Sequence, residues 1–199
     1  MKRPVILASA LLLASTQFSA AETCHEKFVR LLIGGNSKVP TKIDIVTEPK
    51  NGAISKNEFF FQKIGHWMTV MTEPVQPITL AYNNNMYTSA DKGKTWKKVR
   101  SMDSEKNAKI GKKDRVENAK TVKNAVCGEE ELDGAMHDTV EAEFKTVQAY
   151  KSENRYKYWI HKETKWMTKA VYHSKSKGYS SVTTQLPSPD PDMALPTPK

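Results

Sequence analysis

Five histidines, two cysteines and one acidic run are the side chains in this 199-residue sequence whose types could carry chemistry. His25, His66, His137, His161 and His173 give no H-x-x-x-H spacing, and none stands at zinc-ligand distance from a cysteine, so no metal is read from them. His161 and His173 lie on two adjacent alternating stretches, where ordinary hairpin geometry would bring them together. Glu129, Glu130, Glu131 and Asp133 cluster beside Cys127, but the D-x-[DN]-x-[DN]-G ordering of a calcium loop is absent. That cluster reads as a solvated turn. Ser37 and Lys38 are adjacent but have no visible third partner for nucleophilic chemistry. Nucleophile elbow, phosphate loop, dinucleotide fingerprint and paired-carboxylate signatures are all missing. The expectation is a protein that is not an enzyme, with no catalytic residue, no metal and no cofactor.

The two cysteines depend on compartment. Lys2 and Arg3 precede an apolar run from Val5 to Leu13, and Ser19-Ala20-Ala21 supplies small residues at a cleavage position. This is the pattern of an export signal over residues 1–21, cut near Ala21. The run is far shorter than the ~20 residues of a membrane span. Removing these 21 residues, which carry Lys2 and Arg3, leaves 178 residues and lowers the formal charge from +9 to +7. Export to the periplasm places Cys24 and Cys127 in an oxidising compartment, where one disulfide across 103 residues could contribute ~4–5 kcal/mol in the chain-entropy model. Two buried thiols or a redox pair are the alternatives, the latter without a C-x-x-C motif.

These residues must be held by elements whose periodicity is readable. Thr23 and Glu26 have capping-box spacing, Cys24, Phe28, Leu31 and Leu32 form a stripe, and Gly34-Gly35 can end a helix expected over Cys24 to Ile33. The period then changes to two. Val39, Thr41, Ile43 and Ile45 alternate, Phe59 and Phe61 oppose Phe60, and Trp67, Thr69 and Met71 oppose Met68 and Val70. Ile78–Tyr82 and Met86–Ser89 read the same way. Later strands are expected around Val140–Thr146, Arg155–His161, Trp166–His173 and Tyr179–Gln185, as an antiparallel meander. Several have apolar side chains on both faces, which suits a sheet lined on one side by a cavity or a helix. The expected organisation is a signal at 1–21, one domain over 22–186 and a Pro-rich flexible tail at 187–199. A hydrophobic content of 38% with two cysteines excludes polytopic membrane, collagen-like and cysteine-dense classes.

Two short segments have their own character. Ser89-Ala90-Asp91-Lys92-Gly93-Lys94-Thr95-Trp96 resembles the Asp-box of propeller hairpins such as those of sialidases. Asp91 can accept local N–H groups, Gly93 can take positive φ and Trp96 can seal the next strand, so the motif is a turn device. A single copy does not make a propeller. From Ser101 to Lys123 lysines dominate, which reads as a basic loop or a short helix with few anchors.

The signal, the early amphipathic helix, the meanders and a late hairpin together resemble the LolA/LolB-like superfamily of periplasmic lipoprotein carriers. The hairpin is Tyr156-Lys157-Tyr158-Trp159-Ile160-His161-Lys162-Glu163-Thr164-Lys165-Trp166-Met167-Thr168-Lys169, matching the family's Y-x-x-W-I-x-x-x-T pattern and its returning strand. Asn84-Asn85-Met86-Tyr87 and Leu132-Asp133-Gly134 are similar to further family segments. The resemblance implies a mainly β (α+β) fold, with a curved antiparallel half-barrel covered by one or more helices around an apolar cavity that binds acyl chains. Arg30, Arg100, Arg115 and Arg155 lie in contexts unlike that of the sorting carriers' cavity arginine, so none inherits its role.

Phe28, Leu31, Leu32, Phe59, Phe61, Trp67, Met71, Leu80, Phe144, Tyr158, Ile160 and Met167 are the candidate cavity residues. The reading is a non-catalytic binding or carrier protein for a lipid or other apolar ligand. An envelope structural or protein-interaction module is the alternative, and a hydrolytic enzyme a more distant one. An acylated ligand, an anionic membrane surface or an envelope protein is the partner that suits a basic exported chain. Nucleic acid is not expected, because much of the positive charge lies in a polar insertion and not on an aromatic strand face. Nothing in the sequence specifies an oligomeric state.

Overall fold

The computed structural model describes residues 22–36, 39–148 and 150–198. The expected export segment with its expected cleavage site and the Ser37/Lys38 pair lie outside the described residues. Helix α1 (Cys24–Gly34) is set by its ends. Glu26 N–H donates to the Thr23 hydroxyl at 3.2 Å, and Thr23 N–H donates to the Glu26 carboxylate at 2.8 Å, which closes the capping box. Gly35, at φ 53°, takes the positive φ that ends the helix, one residue beyond the expected end.

All the strands belong to one antiparallel sheet. Strands β1 (Thr41–Pro49), β2 (Ser55–Lys63), β3 (His66–Glu73), β4 (Ile78–Tyr82), β5 (Asn85–Ser89) and β6 (Lys97–Ser101) form a first meander. Helix α2 (Ser104–Ala119) follows, and β7 (Lys123–Leu132), β8 (Ala135–Thr146), β9 (Ser152–His161), β10 (Met167–Ser176) and β11 (Tyr179–Pro189) form a second. The meanders join where β1 pairs β11, from Thr41 opposite Pro189 to Pro49 opposite Ser181. The sheet order is β6-β5-β4-β3-β2-β1-β11-β10-β9-β8-β7. Over the described residues the fold is mainly β, an open curved 11-stranded antiparallel sheet with two helices packed against it.

Directly paired residues share a face, so the register traces the inner face that carries α1. From β8 to β3 it runs Val140, Tyr158, Ala170, Gln185, Ile45, Asn57 and Met71 along one row. Four residues along each strand, another row joins Thr41, Phe61, Trp67 and Ala81. Under α1 this face is a core: Phe28, Val140 and Ala170 have no exposed surface, and the Phe28 ring lies 5.4 Å from Tyr158 and 6.3 Å from Phe144. Full burial of a side chain such as Phe28 or Val140 is worth ~1.5–3 kcal/mol. The Cys24–Cys127 disulfide, with Cα atoms 5.5 Å apart, ties the first turn of α1 to β7. Beside it, Lys27 Nζ meets Asp138 on β8 at 3.2 Å.

Helix α2 is held at its ends. Asp103 caps it by accepting from Lys106 N–H at 2.9 Å. Met102 N–H donates to Asn84 O at 2.8 Å, and a Cβ on Gly65 would stand 2.9 Å from Ser104 Oγ, so the helix start sits against the β2–β3 and β4–β5 turns. At the other end Val147 N–H donates to Asn118 Oδ1 at 3.1 Å, on the far side of the sheet. Between these anchors about 24 Å of helix exposes Ile110 and Val116.

Three expectations are corrected. The Glu129–Glu131 run is part of strand β7, and the turn comes later at Asp133 and Gly134, both at positive φ. The run is exposed and ion-paired, with Glu130 on Lys157 and Glu129 on Lys162, which suits an edge strand. His161 faces His137 on β8, with ring centroids 5.2 Å apart, while His173 pairs with Arg155, so the two late histidines do not meet. Strand β11 continues through Pro187 to Pro189, and Met193 beyond it is buried. The proline ring is tolerated because β10 offers no partner past Gln185. On that side the Trp166 indole N–H donates to Pro187 O at 3.0 Å.

Candidate functional site

Between the C-terminal half of α1 and the inner face lies a cavity of about 590 Å³. Helix α1 contributes Leu31, Leu32 and Ile33, placed there because the stripe that begins at Phe28 continues one turn on. The opposite wall is Ile43 of β1 with Phe59 and Phe61 of β2. The floor is Phe144, Tyr156, Tyr158 and Tyr172, with Met167 and Pro187 at one end. The lining therefore comes from both meanders, and the β1–β11 junction crosses its floor.

The wall also carries polar groups: Asn36, Thr41, Asn118, Thr146 and Gln185, the three tyrosine hydroxyls and Arg115. The Tyr172 hydroxyl donates to Gln185 Oε1 at 3.2 Å. The rings of Tyr156 and Tyr172 stand 4.3 Å apart. Burial pushes the phenols of Tyr156, Tyr158 and Tyr172 up from their ordinary values, so all three stay neutral through the physiological range. Asn36 closes one corner by a reciprocal pair with Met167, its amide donating at 2.7 Å and accepting at 3.0 Å. Arg115 of α2 lines the cavity and donates from Nε to Ile33 O at 3.0 Å. The site is thus a mostly apolar, uncharged chamber with one cation at its rim. That arrangement can take up apolar surface and orient an anionic or polar end.

Seven of the twelve candidate residues line this cavity: Leu31, Leu32, Phe59, Phe61, Phe144, Tyr158 and Met167. Phe28 and Ile160 belong to the packed core beneath α1. Trp67 and Met71 share the inner face but stand further out, half-buried, beyond the cavity. Leu80 pairs with Met68 and Tyr87 and so projects from the opposite face, where it is fully buried; alternation on a five-residue strand gives no clue to which side is inner. Sequence reasoning missed Ile43, Tyr156, Tyr172, Gln185 and Pro187 as lining residues, and Arg115 lines the cavity although nothing in its sequence context assigned it there. Tyr156 and Tyr172 were detectable: each stands two residues along its strand from another inner-facing position.

Among the described residues no group of three or more His, Cys, Asp or Glu side chains could hold a metal ion. None of the described helices is long and apolar enough to cross a membrane.

No family model matches the sequence, and no curated protein matches it. Among solved structures, the chain is similar to one from the complex of Pseudomonas aeruginosa MucA and MucB, at 12% identity and a TM-score of 0.46 over 84% of this chain. It spans 58% of that chain's length. It is also similar to a LolA superfamily protein from Nitrosomonas europaea, at 7% identity and a TM-score of 0.34, covering 85% of this chain and 94% of that one.

Proposed function

We propose that this chain is an exported, non-catalytic binding or carrier protein of the periplasm, processed near Ala21, that takes a lipid or another apolar ligand between α1 and the sheet. The observation that carries the reading is the chamber of about 590 Å³ walled by α1 and by strands of both meanders. Ligand pockets commonly fall in the range of about 300–1,000 Å³ with apolar walls and a few polar groups. Each methylene of an acyl chain moved from water into such a chamber gains ~0.8 kcal/mol. The neutral tyrosines suit an uncharged chain. Arg115 suits a carboxylate or phosphate at its end.

Native mass spectrometry and organic extraction of gently purified protein test this directly. Expected are a co-purifying lipid and saturable uptake of a fluorescent fatty acid. Phe59→Glu, which sets a charge in the half-buried wall away from the α1 core, should cut uptake at least ten-fold while the protein stays folded. Absence of both lipid and uptake in the wild type overturns the reading.

A further inference from the structure

The two ends of the strands differ in charge. At the end formed by the β1–β2 turn, the β8–β9 connection and the β10–β11 turn, three adjoining concavities all reach Lys175, and Lys50 and Lys145 each line two of them. Their combined lining holds six lysines and Arg155 against three glutamates, Glu48, Glu143 and Glu153. Glu143 is taken by Lys123 at 3.3 Å, Glu153 by Lys145 at 3.7 Å, and Arg155 pairs with Glu141. Lys50, Lys151, Lys175 and Lys177 pair with no carboxylate among the described residues. At the same end, large apolar side chains are left in water: Tyr150 is 89% exposed, Tyr179 51% and Val147 48%. The opposite end, at the β7–β8 and β9–β10 turns, mixes Glu131, Asp133 and Glu163 with Lys162 and Lys165.

Free lysines interleaved with exposed tyrosines at loop tips match the chemistry of a bilayer surface. Anionic headgroups attract the cations, and an amphipathic phenol settles at headgroup depth with its hydroxyl still wet. A soluble polyanion would use the lysines but leave the tyrosines idle. We infer that this end of the sheet docks on an anionic phospholipid surface, with Lys50, Lys151, Lys175 and Lys177 supplying attraction and Tyr150 and Tyr179 inserting at the interface. Phe144 and Thr146 line both this end and the cavity, so docking sets one side of the chamber against the membrane. The inference concerns the outer surface and does not depend on what the chamber holds.

The processed chain is to be sedimented with vesicles of phosphatidylcholine alone, and with vesicles containing about one-third phosphatidylglycerol. Binding is expected only to the anionic vesicles, falling steeply with salt. Each lysine near the surface should be worth roughly five-fold in affinity, so the triple variant Lys151→Ser, Lys175→Ser, Lys177→Ser should lose about a hundred-fold. The same charge change on α2, Lys106→Ser, Lys109→Ser, Lys112→Ser, should cost less than about five-fold. Tyr150→Ser with Tyr179→Ser should weaken binding several-fold and leave the salt dependence intact. Acyl-probe uptake by the triple variant should be unchanged, which separates this outcome from failure of the carrier reading. No binding to anionic vesicles, equal losses from the two lysine triples, or binding indifferent to both tyrosines and matched by soluble polyphosphate would each overturn the inference.

Discussion

The half of the sheet under α1 and the half formed by β1 to β6 share one inner face but are stabilised differently. Under α1, Phe28, Val140, Ala142, Phe144 and Tyr158 are at most 3% exposed. Across the β1–β11 junction, Ile43, Ile45, Phe59, Phe61, Trp67 and Met71 face the same way yet remain half-buried. The composition of the two surfaces is alike; what differs is the helix above them. An apolar stripe covers the first. Among the described residues the second has no such cover: α2 packs against α1 and β8 and reaches this half at Ser104, beside Asn84. Its length carries no apolar stripe, and its buried residues are Ser104, Asn118 and Ala119 at its ends. The apolar surface left without a packed lid is what gives the chamber its volume.

The contrast predicts unequal costs for the same chemical change. Phe28→Ala opens a cavity in a region that cannot collapse and should destabilise by about 3–5 kcal/mol. Phe59→Ala, at a wall already facing space, should cost roughly 1–2 kcal/mol. Urea unfolding of both variants measures the difference. Equal losses would mean that the β1–β6 half is packed as tightly as the half under α1.

A smaller effect sharpens the comparison by loosening α1. The Cys24–Cys127 bridge closes a loop across 103 residues and anchors the covering helix. Replacing both cysteines by serine should lower stability by about 2–4 kcal/mol under oxidising conditions. Amide exchange should rise over Phe28 to Leu32 and leave β2 and β3 near the wild-type rate. Identical melting of the two proteins, with free thiols titrating in the wild type, would remove the bridge from this account.

How much of this was legible follows from the range of each interaction. Helix α1 is specified locally, by Thr23, Glu26 and Gly35, and its limits are readable to one residue. Most strands of both meanders declare themselves by alternation. The β1–β11 pairing does not, because a contact such as Thr47 with Thr183, 136 residues apart, leaves no local pattern. Strand β6 escaped because Lys97–Ser101 is exposed throughout, so no face is apolar. The cavity wall was legible where large residues mark it, as at Phe59 and Phe61. It was hidden where burial comes from the junction, as at Gln185 and Pro187, or from a charged helix laid across the mouth, as at Arg115.

The Asp91 loop shows how the less covered half holds an edge without a helix. Asp91 accepts from Ser89 Oγ at 2.7 Å, Thr95 N–H at 2.9 Å and Thr95 Oγ1 at 2.6 Å, and Ser89 Oγ accepts from Gly93 N–H at 2.8 Å. The Thr95 hydroxyl and N–H, with the Ser89 hydroxyl, hold its carboxyl down from 3.8 to about 2. A carboxyl lowered in the folded state favours folding above its unfolded value, and that contribution fades as pH falls from near 3.8 through about 2. Because the group is only partly buried and sits at the surface, the effect is local and screened by solvent. The Thr95 amide should therefore keep its protection down to about pH 4 and lose it towards pH 2, while amides under α1 do not follow the same titration. Asp91→Asn should abolish that pH dependence. If Thr95 exchanges alike in both proteins at every pH, the carboxylate is not what fixes this edge, and Trp96 packing against Gly93 must do so instead.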